Sequence, residues 1–290
     1  MDLNQLRYFI EVAKIRNFTR AAKNCHVAQP ALSQQIRKLE AQLNLKLLKR
    51  LPRGAELTRE GEVFLPYAEQ VLSALNEAQG VAEELRGASR GVVRIVTLPS
   101  ACVYVLPPKI AAFKRDHPRV DIVLEETVSA NIPNLVLSGG FDLGVTQALA
   151  PIPRMRRALI QREDLLLAVG ENHPLAARQE LKLAEASGET FVVTKKDTEF
   201  RHLAEDLCRR AGFEMGTAFE ADHFDSIQAY CAVGIGVGLI PRSVILTTLE
   251  PAPHYLRITH PKAQRHLWLV WPEAGLQNKA AQAIMPYLTQ

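Results

Sequence analysis

The chain has 290 residues, 47% of them hydrophobic, which allows more than one domain and a substantial core. Its 35 Lys and Arg residues against 31 Asp and Glu give a modest net charge of +4. The N-terminal residues lack a basic segment followed by an apolar run, and the apolar stretches are far shorter than a bilayer. We therefore expect neither a secretory signal nor a membrane span, and predict a cytoplasmic protein.

The net charge hides an uneven distribution along the chain. Residues 1–59 contain 12 Lys and Arg but four Asp and Glu, whereas residues 60–290 contain 23 basic and 27 acidic residues. A basic head on a mildly acidic body is typical of a nucleic-acid-binding module joined to a second kind of domain.

Two short helices joined by a tight turn are predicted within residues 18–50. Thr19 is suited to cap the first helix, and Pro30 to the first turn of the second. One stripe of apolar residues recurs at helical spacing in the second helix: Leu32, Ile36, Leu39 and Leu43. The opposite face is polar and basic. Periodicity alone also fits two helices of any all-α region, but the charge favours a helix-turn-helix that reads a DNA major groove.

Thr58 is suited to cap a long helix over residues 59–87. Its apolar residues alternate spacings of four and three: Phe64, Ala68, Val71, Leu75, Ala78, Ala82 and Leu85. This row predicts a coiled-coil seam with a partner helix, and packing on the chain's own body is the alternative.

After a break at residues 86–91, short strands alternate with helices. Strands are predicted at 92–97, 120–127, 141–146, 165–169, 190–194 and 236–240. Helices are predicted at 107–115, 131–138, 200–211 and 224–233. This alternation predicts an α/β fold with mainly parallel sheets.

These segments resemble the LysR-type transcriptional regulators. Dense resemblance covers LNQLRYFIEVAKIRNFTRAAKNCHVAQPALSQQIRKLEAQLNLKLLKRLPRGAELTREGEVFL near the N-terminus. Shorter matches to the family's effector domain follow: LSGGFDLGV (137–145), ENHPLA (171–176), CRRAGFE (208–214) and VGIGVGLIPRSV (233–244).

The resemblance implies three parts. The first is an all-α winged helix-turn-helix DNA-binding domain at 1–58, with a supporting helix at 6–15 and a wing at 51–57. A linker helix at 59–87 pairs antiparallel in a dimer. The third part is an effector-binding domain at 91–290 with the two-lobed α/β fold of periplasmic binding proteins. Lobe one is expected at 91–160 and 266–290, and lobe two at 161–265.

The resemblance also implies which residues contact DNA. Residues of the second helix would face the groove: Gln29, Pro30, Ser33, Gln34 and Arg37. Arg50 and Arg53 would hold backbone phosphates. The sequence departs from many members at Ala28, where they have Ser, and at Gln34, where they have Arg. Base preference therefore does not transfer, since Gln favours adenine edges and Arg favours guanine.

An effector site is expected where the strands end, because parallel strands leave a crevice at their carboxyl ends and helix N-termini offer N–H groups there. The candidates are Ser100, Ala101, Thr127, Ser129, Thr146, Thr194, Phe200, His223 and Phe224. Each hydroxyl taken alone also fits a cap or a turn. As a set, the hydroxyls predict a small anionic or polar metabolite, with a phenylalanine covering its apolar part.

The four cysteines form no CxxC pair and no zinc-ligand spacing, so we expect no metal and no cofactor. One branch of the family, the OxyR-like regulators, senses peroxide through two cysteines. Cys208 matches the second of that pair, but Glu199 stands where the first would lie. A thiol-based redox regulator remains one alternative, with Cys102 as a candidate reactive thiol.

Enzyme motifs such as GxSxG, HExxH and a P-loop are absent from the sequence, so we predict no enzyme. The glycines at 234–238 follow a helix and indicate close packing rather than nucleotide binding. A solute-binding α/β protein with a DNA anchor is a further alternative. The sequence favours a ligand-responsive, sequence-specific transcription regulator. Its predicted partners are double-stranded DNA with an interrupted palindrome, a small-molecule effector, RNA polymerase, and copies of itself in a dimer that pairs into a tetramer.

Overall fold

The computed structural model describes residues 1–51, 54–85, 91–147, 150–245 and 250–290. By their internal contacts the residues form two units: Met1–Arg90 with Leu137–Phe141, and Gly91–Val136 with Asp142–Gln290. Within the described ranges, no helix has the length and apolar character needed to cross a membrane.

The first unit begins with three helices and a hairpin. They are α1 (Leu3–Ile15), α2 (Phe18–Asn24), α3 (Gln29–Leu43) and the antiparallel strands β1 (Leu48–Leu51) and β2 (Gly54–Leu57). Pro30 lies in the first turn of α3, as predicted. The predicted cap of α2 is wrong, because Asn17, and not Thr19, accepts the backbone N–H of Arg20 at 3.0 Å. The asparagine precedes the first apolar residue of the helix, which is the position that a capping side chain prefers.

The core of this unit is formed where α1, α2 and α3 meet. Leu32, Ile36 and Leu39 on α3 are buried as predicted, and Leu43 is only partly buried. Ala21 and Ala22 on α2 are also buried, and their small side chains let the neighbouring helices approach closely. The amphipathic pattern of α3 therefore produces the helix-turn-helix that the sequence predicted.

The hairpin is tied to the helices by polar contacts. The buried carboxylate of Glu40 on α3 accepts the backbone N–H groups of Leu47 and Leu48 at 2.9 and 3.2 Å. On the other strand, Ala55 donates its N–H to the carbonyl of Arg16 at 2.8 Å. A Cβ atom on Gly54 would lie 2.6 Å from that carbonyl oxygen, so the close approach requires glycine. These bonds fix the wing relative to α1 and α3.

The long helix α4 (Arg59–Leu85) begins at Thr58, whose hydroxyl accepts the N–H of Gly61 at 3.0 Å, so the predicted cap is confirmed. The start of the predicted seam packs inside the chain: Ala68 is buried in the head core, and the Phe64 ring lies 5.7 Å from that of Phe9. For these two residues the alternative of packing on the chain's own body is correct. The structure does not describe the side chains of Ala82 and Leu85, at the end of the predicted seam, or residues 86–87.

The second unit combines strands and helices. Its strands are β3 (Val92–Thr97), β4 (Asp121–Glu126), β5 (Leu143–Thr146), β6 (Met155–Val169), β7 (Glu180–Lys182), β8 (Thr190–Thr194), β9 (Gly216–Ala221), β10 (Gly238–Pro241), β11 (His254–His260) and β12 (Gln264–Pro272). Its helices are α5 (Pro99–Tyr104), α6 (Leu106–Asp116), α7 (Ile132–Leu137), α8 (Glu199–Arg210), α9 (Phe224–Ala232) and α10 (Lys279–Leu288).

The sheet is mixed, so the prediction of mainly parallel sheets is wrong. In the described residues the strand order is β4-β3-β5-β12-β6-β11-β7, with β10 also on β6, and β8 pairs with β9 separately. Pairs β3–β4, β3–β5, β7–β11 and β8–β9 are parallel, but each pair that includes β6 or β12 is antiparallel. β12 was not predicted from the sequence, and of the 15-residue β6 only the apolar end was predicted, because the first half of β6 is rich in arginine.

Two hydrophobic cores lie in this unit. We call lobe one the part built on the core of β3, β5, α6 and α10, and lobe two the part built on the core of β8, α8, α9 and β10. Ile160 belongs to the first core and Leu165 to the second, although both lie on β6. β6 and its partner β12 therefore run from one lobe to the other. The α/β class is confirmed, and the predicted domain and lobe boundaries stay predictions.

Candidate DNA-binding surface and effector cavity

The exposed face of α3 carries most of the predicted DNA contacts. Pro30, Gln34 and Arg37 are exposed there and Gln29 is partly exposed. Ser33 departs from the expectation, because it is 2% exposed and its hydroxyl contacts Gln29 Nε2 at 2.8 Å. Its side chain turns toward the head core rather than outward.

One of the two predicted phosphate contacts, Arg50, lies on the wing formed by β1 and β2. Arg50 is exposed on β1, with its guanidinium carbon 4.4 Å from the centre of the Phe18 ring. Arg53 lies outside the described residues. Ala28 occupies the position before α3 without a side-chain hydrogen bond to the helix, so the departure from serine leaves this end of α3 uncapped.

A cavity of about 330 Å³ lies between lobe one and lobe two. Six of the predicted effector residues line it: Ser100, Ser129, Thr194, Phe200, His223 and Phe224. The cavity thus joins the start of α5, two residues of the segment between β4 and α7, and the starts of α8 and α9. Strand ends and helix starts from both lobes converge here, as the sequence analysis expected.

Three predicted effector residues do not line the cavity. Ala101 is fully buried in the core of lobe one, because residues 99–101 form the first turn of α5 and not a loop. The Thr127 hydroxyl accepts from Asn131 at 3.2 Å and is occupied locally. Thr146 is fully buried, and its hydroxyl pairs with that of Ser129 at 2.7 Å.

Gln147 lines the cavity, and it directly follows β5, at one of the strand ends where the effector site was expected. Its side chain is 3% exposed, and its backbone N–H donates to the Ser129 hydroxyl at 3.3 Å. Its Nε2 atom has no hydrogen-bond partner. In the described ranges, every other buried side-chain nitrogen or oxygen has one. An unpaired buried donor is costly, so this amide favours a bound acceptor.

A buried ion pair lies behind the cavity. Arg265 on β12 and Glu163 on β6 are directly opposite in the antiparallel ladder, and Arg265 is 1% exposed. Its Nε and Nη2 atoms donate to Glu163 Oε1 at 2.8 and 2.6 Å. Burial lowers the pKa of the Arg265 guanidinium, and the carboxylate of Glu163 opposes that shift. The pair supplies an arginine to the cavity wall whose charge is already compensated.

The ion pair contacts each lobe. Arg265 Nη1 donates to the Ser100 hydroxyl of lobe one at 3.1 Å. Glu163 Oε2 accepts the backbone N–H of Ser243, in lobe two, at 2.8 Å. A second link crosses the cavity directly, since the Tyr104 hydroxyl of α5 donates to the Asp225 carboxylate of α9. Burial and this carboxylate both raise the pKa of the Tyr104 phenol.

All four thiols are held in the protonated form. Burial raises the pKa of Cys102 to about 11, with a further contribution from Glu126, and raises the pKa values of Cys208 and Cys231 to about 12. Burial also raises the pKa of Cys25. Because the thiolate is the reactive species, these environments do not favour a peroxide-reactive cysteine. The described residues contain no group of three side chains that could hold a metal ion.

The architecture defines a class of protein in which a winged helix-turn-helix head accompanies a two-lobed α/β effector-binding part. Family models agree: the "Bacterial regulatory helix-turn-helix protein, lysR family" matches residues 3–62, and the "LysR substrate binding domain" matches residues 86–290. The chain belongs to the LysR family. It is therefore a ligand-responsive, DNA-binding transcription regulator and not an enzyme.

Individual relatives match along nearly the whole chain. The transcriptional dual regulator GltC of Bacillus subtilis is 31% identical over 277 residues, covering 94% of this chain and 91% of GltC. OxyR of Escherichia coli is 28% identical over 284 residues, covering 97% and 93%. The crystal structure of full-length CbnR complexed with its target DNA has a TM-score of 0.75 at 24% identity and covers 99% of each chain.

We expect Arg265→Met to destabilise the second unit by about 3–5 kcal/mol, because it leaves the Glu163 carboxylate buried without a cation. Glu163→Met should cost a similar amount, and the double variant should regain most of the loss because no charge is left in the core. Urea unfolding followed by tryptophan fluorescence measures this, since both tryptophans of the chain lie on β12.

Arg257→Met is the matched control, because it breaks an exposed ion pair with Glu180 on neighbouring strands. It should change the free energy of unfolding by less than about 1 kcal/mol. Equal stability of the Arg265 and Arg257 variants would contradict the structural role of the buried pair.

Proposed function

We propose that the cavity between the lobes is the effector site and that its occupancy controls how the heads bind DNA. The observation that carries this proposal is the unpaired, buried Gln147 amide, beside hydroxyls from both lobes. A volume of about 330 Å³ suits a small metabolite, at the lower end of the usual range of roughly 300–1,000 Å³ for ligand sites. This refines the predicted anionic or polar metabolite to one that presents a hydrogen-bond acceptor.

The contacts of the ion pair suggest how occupancy acts on the lobes. Ser100 lines the cavity and also accepts a hydrogen bond from Arg265, so a ligand that binds Ser100 changes the surroundings of the crossing strands. Tyr104 and Asp225 hold the lobes together across the same space. A ligand that binds one lobe arrangement more tightly shifts the population toward it. We propose that this shift changes the spacing of the heads and the recruitment of RNA polymerase.

In the head, we propose that α3 enters the major groove. Gln34 and Arg37 are exposed on one face and would read base edges, with Gln29 and Pro30 at the start of the same helix. Arg50 and Arg53 would hold phosphates on either side of the groove. The published complex of CbnR with its target DNA supports this use of a head of the same fold.

We also propose that α4 forms the dimer interface, with two dimers in a tetramer that spans an interrupted palindrome. Val63, Tyr67 and Val71 are 62%, 61% and 42% exposed, and their spacing of four places them on one side of the helix. Because Phe64 and Ala68 are used by the head core, the apolar stripe left for a partner helix starts one residue earlier than the predicted seam.

Arg37→Ala should weaken binding to a specific promoter fragment by about 1–3 kcal/mol and reduce sequence discrimination, because a base-edge contact is lost. Arg50→Ala should instead weaken binding to all sequences and lower the slope of affinity against salt by about one unit. Fluorescence anisotropy at several salt concentrations separates the two effects. Arg119→Ala, an exposed arginine of lobe one, is the control, and a loss equal to that of Arg37→Ala would contradict the assignment.

Val71→Glu should convert the dimer into a monomer, because pairing would bury a carboxylate without a partner. Sedimentation velocity measures the oligomer. Glu62→Lys reverses a charge at an exposed position of the same helix, about 100° around the axis from Val63 and away from the stripe, and should leave the oligomer unchanged. A dimer that persists in the Val71 variant would move the interface away from this stripe.

Gln147→Met keeps the volume of the side chain but removes its donor. Any small metabolite that raises the melting temperature of the full-length protein should bind this variant about 1–3 kcal/mol more weakly. Val128→Trp should fill the cavity and abolish the shift, whereas Gln264→Met, at a half-buried position of β12 outside the cavity, should leave it unchanged. A metabolite that stabilises all three variants equally would place the effector site elsewhere.

A further inference from the structure

We infer that the effector carries a protonated amine together with its hydrogen-bond acceptor, so that the ligand class is that of amino acids and related small amino compounds. This inference rests on the proposed function, in which the cavity is the effector site. It is carried by the charges around the cavity and by the unpaired amide of Gln147.

Carboxylates outnumber cations in the cavity wall. The acidic residues that line it are Asp197, Glu199, Asp222 and Asp225, and the basic ones are Lys195 and Arg265. Both cations already have a carboxylate partner: Lys195 lies 2.7 Å from Asp222, and Arg265 binds Glu163. The wall therefore offers negative charge without a matching positive charge.

Three carboxylates are left without a cation within 4 Å among the described residues. Asp225 accepts only the neutral hydroxyl of Tyr104, Glu199 has no ion pair, and Asp197 acts on Lys195 from a longer distance. Glu199 and Asp225 lie in the first turns of α8 and α9, at the edge of the cavity. A purely anionic ligand would be repelled by these groups, and an ammonium group would be attracted.

Gln147 is independent evidence that the cavity binds a ligand with a hydrogen-bond acceptor. The residue lines the cavity on the side of lobe one, and its Nε2 donor is buried and lacks an acceptor. An acceptor such as a carboxylate or carbonyl oxygen would satisfy it, while the ammonium group of the same molecule meets the carboxylates of lobe two. Between them, the perpendicular rings of Phe200 and Phe224, 4.7 Å apart, provide an apolar and cation-tolerant wall.

The test uses pairs of probes that differ only in the amine. Each α-amino acid is compared with the 2-hydroxy acid of the same carbon skeleton, and each linear alkylamine with the alcohol of the same length. Calorimetry and thermal shift on the full-length protein at neutral pH should show at least one amine that binds. Its hydroxyl counterpart should bind about tenfold more weakly or worse, because a charged hydrogen bond is lost.

Two variants assign the effect to this wall. Glu199→Gln and Asp197→Asn remove charge without changing volume, and should weaken the amine by about tenfold while leaving its hydroxyl counterpart unchanged. Glu171→Gln, an exposed carboxylate outside the cavity, is the control and should bind the amine like the unmodified protein. Circular dichroism checks that each variant folds.

The outcomes separate this inference from the proposed site. If hydroxy acids or alcohols bind as tightly as amines and lose binding in Val128→Trp, the cavity is the effector site and the amine inference is wrong. If an amine binds Val128→Trp and the unmodified protein equally, the site itself is wrong. Absence of binding by every amine of the set also overturns the inference.

Discussion

The effector-binding unit depends on one buried ion pair. Arg265 and Glu163 lie opposite each other on the two strands that run from one lobe to the other. Burying both charges is costly, and the cost is offset only while each hydrogen-bonding atom keeps its partner. Those partners include a hydroxyl in lobe one and a backbone N–H in lobe two. The ion pair that stabilises β6 and β12 therefore depends on the positions of both lobes. A ligand that changes the arrangement of the lobes would change the contacts of this pair.

In the proposed effector site, selectivity comes from groups that the ion pair leaves free. Because Arg265 is neutralised by Glu163, it adds an arginine to the wall without adding net positive charge. Ser129 and Thr146 are engaged with each other, so the hydroxyls contribute less to ligand recognition than their number in the sequence suggests. Recognition then falls to the unpaired Gln147 amide and to the carboxylates at the starts of α8 and α9.

The sequence predicted what local patterns determine. The helix-turn-helix follows from a spacing of apolar residues within one helix, and β3 and β8 follow from short β-branched runs, so these elements lie where they were expected. β6 pairs with β12 although their residues are about 100 positions apart in the chain, and local sequence patterns do not predict which distant strands pair. Arg265 and Glu163 were missed for this reason, whereas Gln147 directly follows a predicted strand and lies at an expected strand end. Ser100 lines the cavity as expected, but α5 was not predicted, and Ala101 therefore lies in the core of lobe one instead of at the expected site.

Glu199 favours the ligand-binding sensor over the thiol-based one, the two kinds of sensor that the sequence left open. In the OxyR-like pattern a cysteine would stand at this position and react with Cys208, nine residues later. Here Cys208 is buried on the inner face of α8 with its pKa raised to about 12, and Glu199 begins the helix at the edge of the cavity. A carboxylate cannot form the disulfide, but it can bind a cation. Glu199, the residue that excludes the two-cysteine mechanism, thus also supplies negative charge to the proposed effector site. The same residue weakens the thiol-sensing alternative and supports the ligand-binding one.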